Sequence, residues 1–215
     1  MSKTYWENKF IGRIINWESW IRYNLENRLC PRNVLDFHFR LKNNMINVET
    51  RLQRMNYSDG KCKLCQLARI DHVQDENLEH LLINCLYKKK IWKLIQRIII
   101  SSFGDNYSIS KFEILLGVVH DDLQNDEVTI ISMIMGMTKW HLYLMRNITT
   151  KDGKEVTFME CYNKLRCYLS GHIKMLLMSK TVKQDVKDKL EQVLFYVSDI
   201  LKTGINVHDI QSLEL

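Results

Sequence analysis

Cys62, Cys65, His80 and Cys85 are spaced C-x2-C-x14-H-x4-C. Two thiols two residues apart, followed by an imidazole and a third thiol, form a donor set that suits a tetrahedral Zn²⁺. Across the tight turn between Cys62 and Cys65, both sulfurs are expected to point at one ion. Asp75, Glu76 and Glu79 read as the acidic opening of a helix. His80 would project from that helix and Cys85 from its last turn or just beyond. His72, in the loop between, is an alternative nitrogen donor. The competing explanation is ordinary burial, since cysteine is commonly a small core residue.

The elements that must position these residues are helices. Proline occurs once, at Pro31, and apolar residues recur at three and four residue intervals. Trp6, Phe10, Ile14, Trp17, Ile21 and Leu25 fall on one face of a helix. Pro31 separates it from a second helix over about 34–45, in which Leu35, Phe39 and Lys42 share a face with Phe37 and Leu41 alongside. Residues 86–100 read as a basic helix, with Ile91, Trp92, Leu94, Ile95, Ile98 and Ile99 inside. Its Lys88, Lys89, Lys90, Lys93 and Arg97 are expected outside, where they grip phosphates or simply solvate the helix.

A polar stretch at 101–110 with Gly104 marks a subdomain boundary, and Ser110-x-x-Glu113 suits the cap of a short helix ending near Gly117. Residues 128–145 are apolar for about the length of a membrane span. Lys139, Trp140 and His141 interrupt that run, so it is read as a buried core helix. A turn at 151–154 leads to a helix over about 155–178. The last helix, about 181–202, ends before Gly204. Its stripe of Val186, Leu190, Val193, Val197 and Ile200 is expected to pack on its own domain. The fold expected is all-α with a small CCHC zinc-stabilised module and no substantial β-sheet. Three segments are expected: 1–60 an N-terminal helical segment, 61–104 the zinc module with its basic helix, and 105–215 a C-terminal helical bundle.

Composition limits the function classes. With 46% hydrophobic and 26% charged residues the chain reads as globular, not disordered. Six cysteines in 215 residues are no disulfide scaffold, and Cys30, Cys161 and Cys167 show no paired framework. The expected location is therefore intracellular, nucleus or cytoplasm. Residues 1–9 lack a secretory signal, so secretion is not expected, and the sequons at Asn56, Asn106 and Asn147 are read as chance. Charge is uneven: 18 Lys and Arg against 10 Asp and Glu up to residue 104, then 13 against 15. Positive charge gathered around the cysteines suits a polyanion, nucleic acid above all, or else forms a solvated surface with no partner.

The pattern and its flanks resemble the region after the reverse transcriptase domain in LINE-type non-LTR retrotransposon polyproteins. That family carries an aromatic-rich helical pair, a CxxC, a Glu four residues before a His-Leu pair and its closing Cys, and a Trp about seven residues later. Glu76, His80, Leu81, Cys85 and Trp92 stand in those places, and 138–143 resembles the segment ending in Lys-aromatic-His that follows. The resemblance covers about 17–175. Asn77 stands where the family usually has Thr, and the loop 66–75 is longer than usual.

The resemblance implies a module that helps hold template RNA or target DNA on a polymerase during target-primed reverse transcription. The chain itself is expected not to be an enzyme. The nearest approach to the Y-x-D-D of a polymerase is Val119, His120, Asp121 and Asp122, without the aromatic residue, and the Lys/Arg-Pro-Asp of the associated nuclease is absent. The expected function is non-catalytic binding of RNA or single-stranded DNA. One structural Zn²⁺ would sit on Cys62, Cys65, His80 and Cys85. Phosphates would meet Arg22, Arg28, Arg32, Arg40, Lys42, Lys61, Lys63, Lys88, Lys89, Lys90 and Lys93. Tyr87 and Trp92 are stacking candidates, though Trp92 lies among isoleucines as a core residue would. The alternative is a zinc-stapled protein interaction module that docks a partner through its last helix. A hydrolase built on His120, Asp121 and Asp122 ranks third. No membrane and no small-molecule substrate are expected.

Overall fold

A computed structural model describes residues 2–10, 15–67, 73–104, 107–117 and 125–199. Ile14, His72, Asn106, His120, Asp121, Asp122, Ile200 and Gly204, singled out above, lie outside them. The described helices are α1 (Ser2–Lys9), α2 (Trp17–Asn24), α3 (Arg32–Lys42), α4 (Glu49–Arg54), α5 (Lys63–Leu67), α6 (Leu86–Phe103), α7 (Lys111–Leu116), α8 (Asn125–Asp152), α9 (Phe158–Met178) and α10 (Gln184–Asp199). A five-residue π-helical turn, His80–Asn84, precedes α6. The only β feature among the described residues is an isolated antiparallel bridge between Lys61 and Asp75. The chain is therefore all-α, as its periodicity implied.

The helix α8 organises the rest. Its 28 residues span about 42 Å at 1.5 Å per residue, and α2, α3, α5, the π turn, α6, α9 and α10 all pack against it. Being surrounded, it is apolar nearly all round, with most residues from Val128 to Met145 buried and Thr129, Trp140, Tyr143 and Leu144 partly so. Among the described residues no helix is long and apolar enough to cross a membrane. At Gly136 α3 packs close against it. A Cβ there would meet His38 Nε2 and Val34 Cγ1, each at 2.9 Å, so only hydrogen fits between the two helices.

Several expectations change. The apolar stripe from Trp6 to Leu25 belongs to two helices, because Asn16 is extended and caps α2 by accepting from the Ser19 N–H. In α3 the buried face is Val34, Phe37, His38 and Leu41, while Phe39 is 50% exposed. Gly117 does end α7, which opens on a complete capping box of Ser110 and Glu113. The last helix packs on α9 and α6, burying Val186, Leu190, Val193 and Val197. One hydrophobic core runs from Trp6 to Val197. It takes residues from all three segments expected from the sequence. A second, small cluster holds Cys62, Leu64, Cys65 and Cys85.

Candidate metal centre

Cys62, Cys65, His80 and Cys85 are all buried, and one donor atom from each lies within 4.8 Å of the others. Three short devices bring them together. Gly60 sits at φ 79, a conformation open to glycine, two residues before Cys62. Its carbonyl accepts the Glu76 N–H at 2.9 Å, and the Gln74 carbonyl accepts the Cys62 N–H at 3.1 Å. Together with the Lys61–Asp75 bridge these bonds lay the first cysteine beside the segment that leads to His80. Cys65 then rises from α5.

The second half depends on the π turn. In an α-helix, residues five apart sit about 140° round from each other. A turn closed by an i→i+5 bond stacks them instead, and here the Cys85 N–H reaches the His80 carbonyl at 3.4 Å. His80 and Cys85 therefore face one point. Cys65 Sγ lies 3.4 Å from His80 Nε2 and 3.9 Å from Cys85 Sγ. His80 Nδ1 donates to Gln74 Oε1 at 3.0 Å, which leaves the Nε2 lone pair for a metal. Such a carbonyl on the far ring nitrogen is the usual company of a ligating histidine.

Hydrogen bonds among the three thiols set their acidities apart. The hydrogen bond from Cys65 draws the Cys62 thiol below its usual range. Bonds from Cys62 and Cys65 pull Cys85 down further, against its burial and with help from the Lys88 charge. Cys65, which donates to both, is pushed up. The thiolate is the form that binds metal. Four buried soft or borderline donors around one point are able to hold a metal ion.

Glu76 does not open a helix. It is buried, and its Oε1 accepts from Arg146 Nε at 2.9 Å. Arg146 Nη2 also reaches Glu49 Oε1 at 2.6 Å, and Ser58 Oγ donates to Glu49 Oε2. This ion cluster fastens the segment before His80 to α8. Nothing in the sequence pointed to Arg146 or Glu49, which lie 97 positions apart.

The basic candidates disperse. Lys88 is 1% exposed and so cannot face phosphate, which corrects its expected place. It falls on the same α6 face as Ile91, Trp92 and Ile95, a spacing the sequence did display. Trp92 is likewise no stacking platform: it is fully buried and donates to the Leu82 carbonyl at 2.6 Å. Lys61 pairs with Asp75 at 2.7 Å, and Lys63 with Asp59 at 2.9 Å. The Lys63 ammonium, then the Gln66 amide and the Lys61 N–H, hold Asp59 well below the usual carboxylate range. Lys42 lies over Trp17 and Trp20, and Lys90 over Phe158. Lys93 is half-buried, and Lys89 is exposed.

The arginines are the more accessible set. Arg22, Arg28, Arg32 and Arg40 are exposed, with Arg40 paired to Asp36 at 2.9 Å and Arg22 held loosely to Glu18 at 4.0 Å. Arg22, Tyr23 and Arg28 line a cleft of about 690 Å³ that Lys183, Glu26, Asp126 and Met175 also border. Arg32 and the exposed Phe39 line a shallower depression next along the chain. No protein-family model, curated protein or solved structure matches the chain.

Proposed function

We propose that the chain is a non-catalytic module that binds RNA or single-stranded DNA, and that Cys62, Cys65, His80 and Cys85 hold one structural Zn²⁺. For the ion, tetrahedral bonds of about 2.3 Å to sulfur and about 2.0 Å to nitrogen imply S···S near 3.8 Å and S···N near 3.5 Å. The separations of 3.9 and 3.4 Å sit close to both. Four protein donors leave no open position for a substrate, which is the mark of a structural site.

The observation that carries the nucleic-acid reading is the arginine face. Arg22 and Arg28 border one hollow and Arg32 another, and Phe39 stands 50% exposed in the second. Guanidinium forks suit phosphates, and an exposed ring beside them suits a stacked base. This moves the contact surface away from the zinc module, where Lys61 and Lys63 are ion-paired and Lys88 is buried. The resemblance to the region following a LINE-type reverse transcriptase belongs with this reading, and would make the ligand a template RNA or a target DNA strand.

The test is a salt titration of labelled single-stranded RNA by fluorescence anisotropy. Arg28→Ala with Arg32→Ala should weaken binding at low salt and flatten the log–log slope by about 1.4, near 0.7 per phosphate contact. Lys61→Ala with Lys63→Ala should change little. Absence of binding at low salt would remove the proposal. Elemental analysis should find about one Zn per chain, and Cys62→Ser should lose it.

The rival reading, a protein interaction module, loses the apolar stripe of α10, which is buried within the fold. It keeps Met175, Met178 and Phe195, exposed by 58%, 85% and 60%. Capture of a stoichiometric protein partner that survives nuclease treatment would favour it.

A further inference from the structure

We infer that the Lys88 ammonium is the counter-cation of the metal–thiolate centre, an inference that rests on the zinc reading above. Three thiolates and a neutral imidazole around Zn²⁺ carry a net charge of −1. Such a charge, buried, needs a compensating partner. Lys88 is a buried cation one helical turn from a ligand: its backbone N–H donates to the Cys85 carbonyl at 2.9 Å, which starts α6 directly behind the cluster.

Its own surroundings lead to the same place. Lys88 is 1% exposed and its Nζ has no hydrogen-bond partner. Leu64, Tyr87, Leu142, Met145, Val156 and Cys161 line a small void with it, and none of them is an anion. Cys161 stays a neutral thiol, because burial pushes it up to about 12. An ammonium walled in by apolar groups is costly unless a negative charge faces it. Leu64, between the two cysteines of the C-x2-C, shares that wall and ties the lysine to the cluster. Lys88 also begins the α6 face that packs inward, so the first turn of that helix carries it in behind Cys85. The role is one of charge balance from behind the cluster; the metal itself is held by the four donors.

The probe is Co²⁺, added to the full-length apoprotein and followed by its visible absorption. Lys88→Met should weaken Co²⁺ binding by roughly 10–100-fold, the usual loss for a residue supporting a metal ligand. Lys89→Met, the same charge change on the exposed neighbour, should stay within about two-fold of wild type. In thermal melts, Lys88→Met should shrink the metal-induced rise in Tm without lowering the Tm of the apoprotein. A lysine that merely filled space would lower both. Lys88→Gln, which keeps a donor without the charge, carries the same comparison if the Met variant does not fold. Wild-type affinity in Lys88→Met overturns the inference. A wild-type protein that takes up no Co²⁺ overturns the zinc reading beneath it, a result visible before any variant is made.

Discussion

Arg146 serves two carboxylates at once, and both lie on segments that frame the cysteine cluster. Its side chain is 6% exposed, against 2% for Glu49 and 1% for Glu76. Removing the guanidinium leaves two buried carboxylates facing each other, so Arg146→Met should destabilise the protein by about 3–5 kcal/mol, read from urea unfolding. Replacing all three residues with apolar ones should cost much less, because the penalty comes from stranded charge. A second residue-scale effect concerns acid. Burial lowers His141 to about 4; its hydrogen bond to the Cys161 carbonyl opposes the shift and the Lys164 charge adds to it. Folded His141 stays neutral while the unfolded chain takes a proton below about 6.5. Stability is therefore lost as pH falls from about 6.5 towards 4, by up to about 3 kcal/mol from this residue. His141→Gln should flatten that part of a pH series of denaturant melts relative to wild type.

Local elements were readable where one residue type fixes one conformation. Ser110 was legible as a cap because a hydroxyl three positions before Glu113 can only be satisfied in a few ways. Both bonds form: Glu113 N–H to Ser110 Oγ at 3.2 Å, and Ser110 N–H to Glu113 Oε2 at 2.8 Å. Ser110→Ala should cost about 1 kcal/mol, measurable by denaturant unfolding. The four cysteine and histidine positions were legible for a similar reason, since their spacing alone restricts what they can surround. The elements that misled lack such a constraint. The apolar period from Trp6 to Leu25 runs unbroken across Asn16, because both α1 and α2 face the same core. The π turn was invisible, as five ordinary residues adopt it only when His80 and Cys85 must meet. Lys88 was assigned by its charge, although its position relative to Ile91 and Trp92 placed it inside. The Glu76–Arg146 contact, 70 residues apart, has no sequence signal at all.

At the scale of the molecule, the basic half identified from composition does not become a basic zinc module. Of its lysines Lys88 is buried and Lys61 and Lys63 are ion-paired, while Arg22, Arg28, Arg32 and Arg40 of α2, α3 and the loop between them are exposed. Charge counted along a chain thus says how much cation there is, and only packing says where it can be used. The cysteine and histidine cluster and the exposed arginine of α3 are joined through α8, against which α3, α5 and the π turn all rest. The indole of Trp92 gives this arrangement an optical aspect. Its ring is sealed from solvent, and its N–H is bound to the carbonyl of Leu82, a residue inside the very turn that carries His80 and Cys85. Fluorescence from that one ring, isolated as a difference spectrum against Trp92→Phe, is therefore a native gauge of whether the turn is wound. The protein carries its own lamp beside its cysteine and histidine cluster.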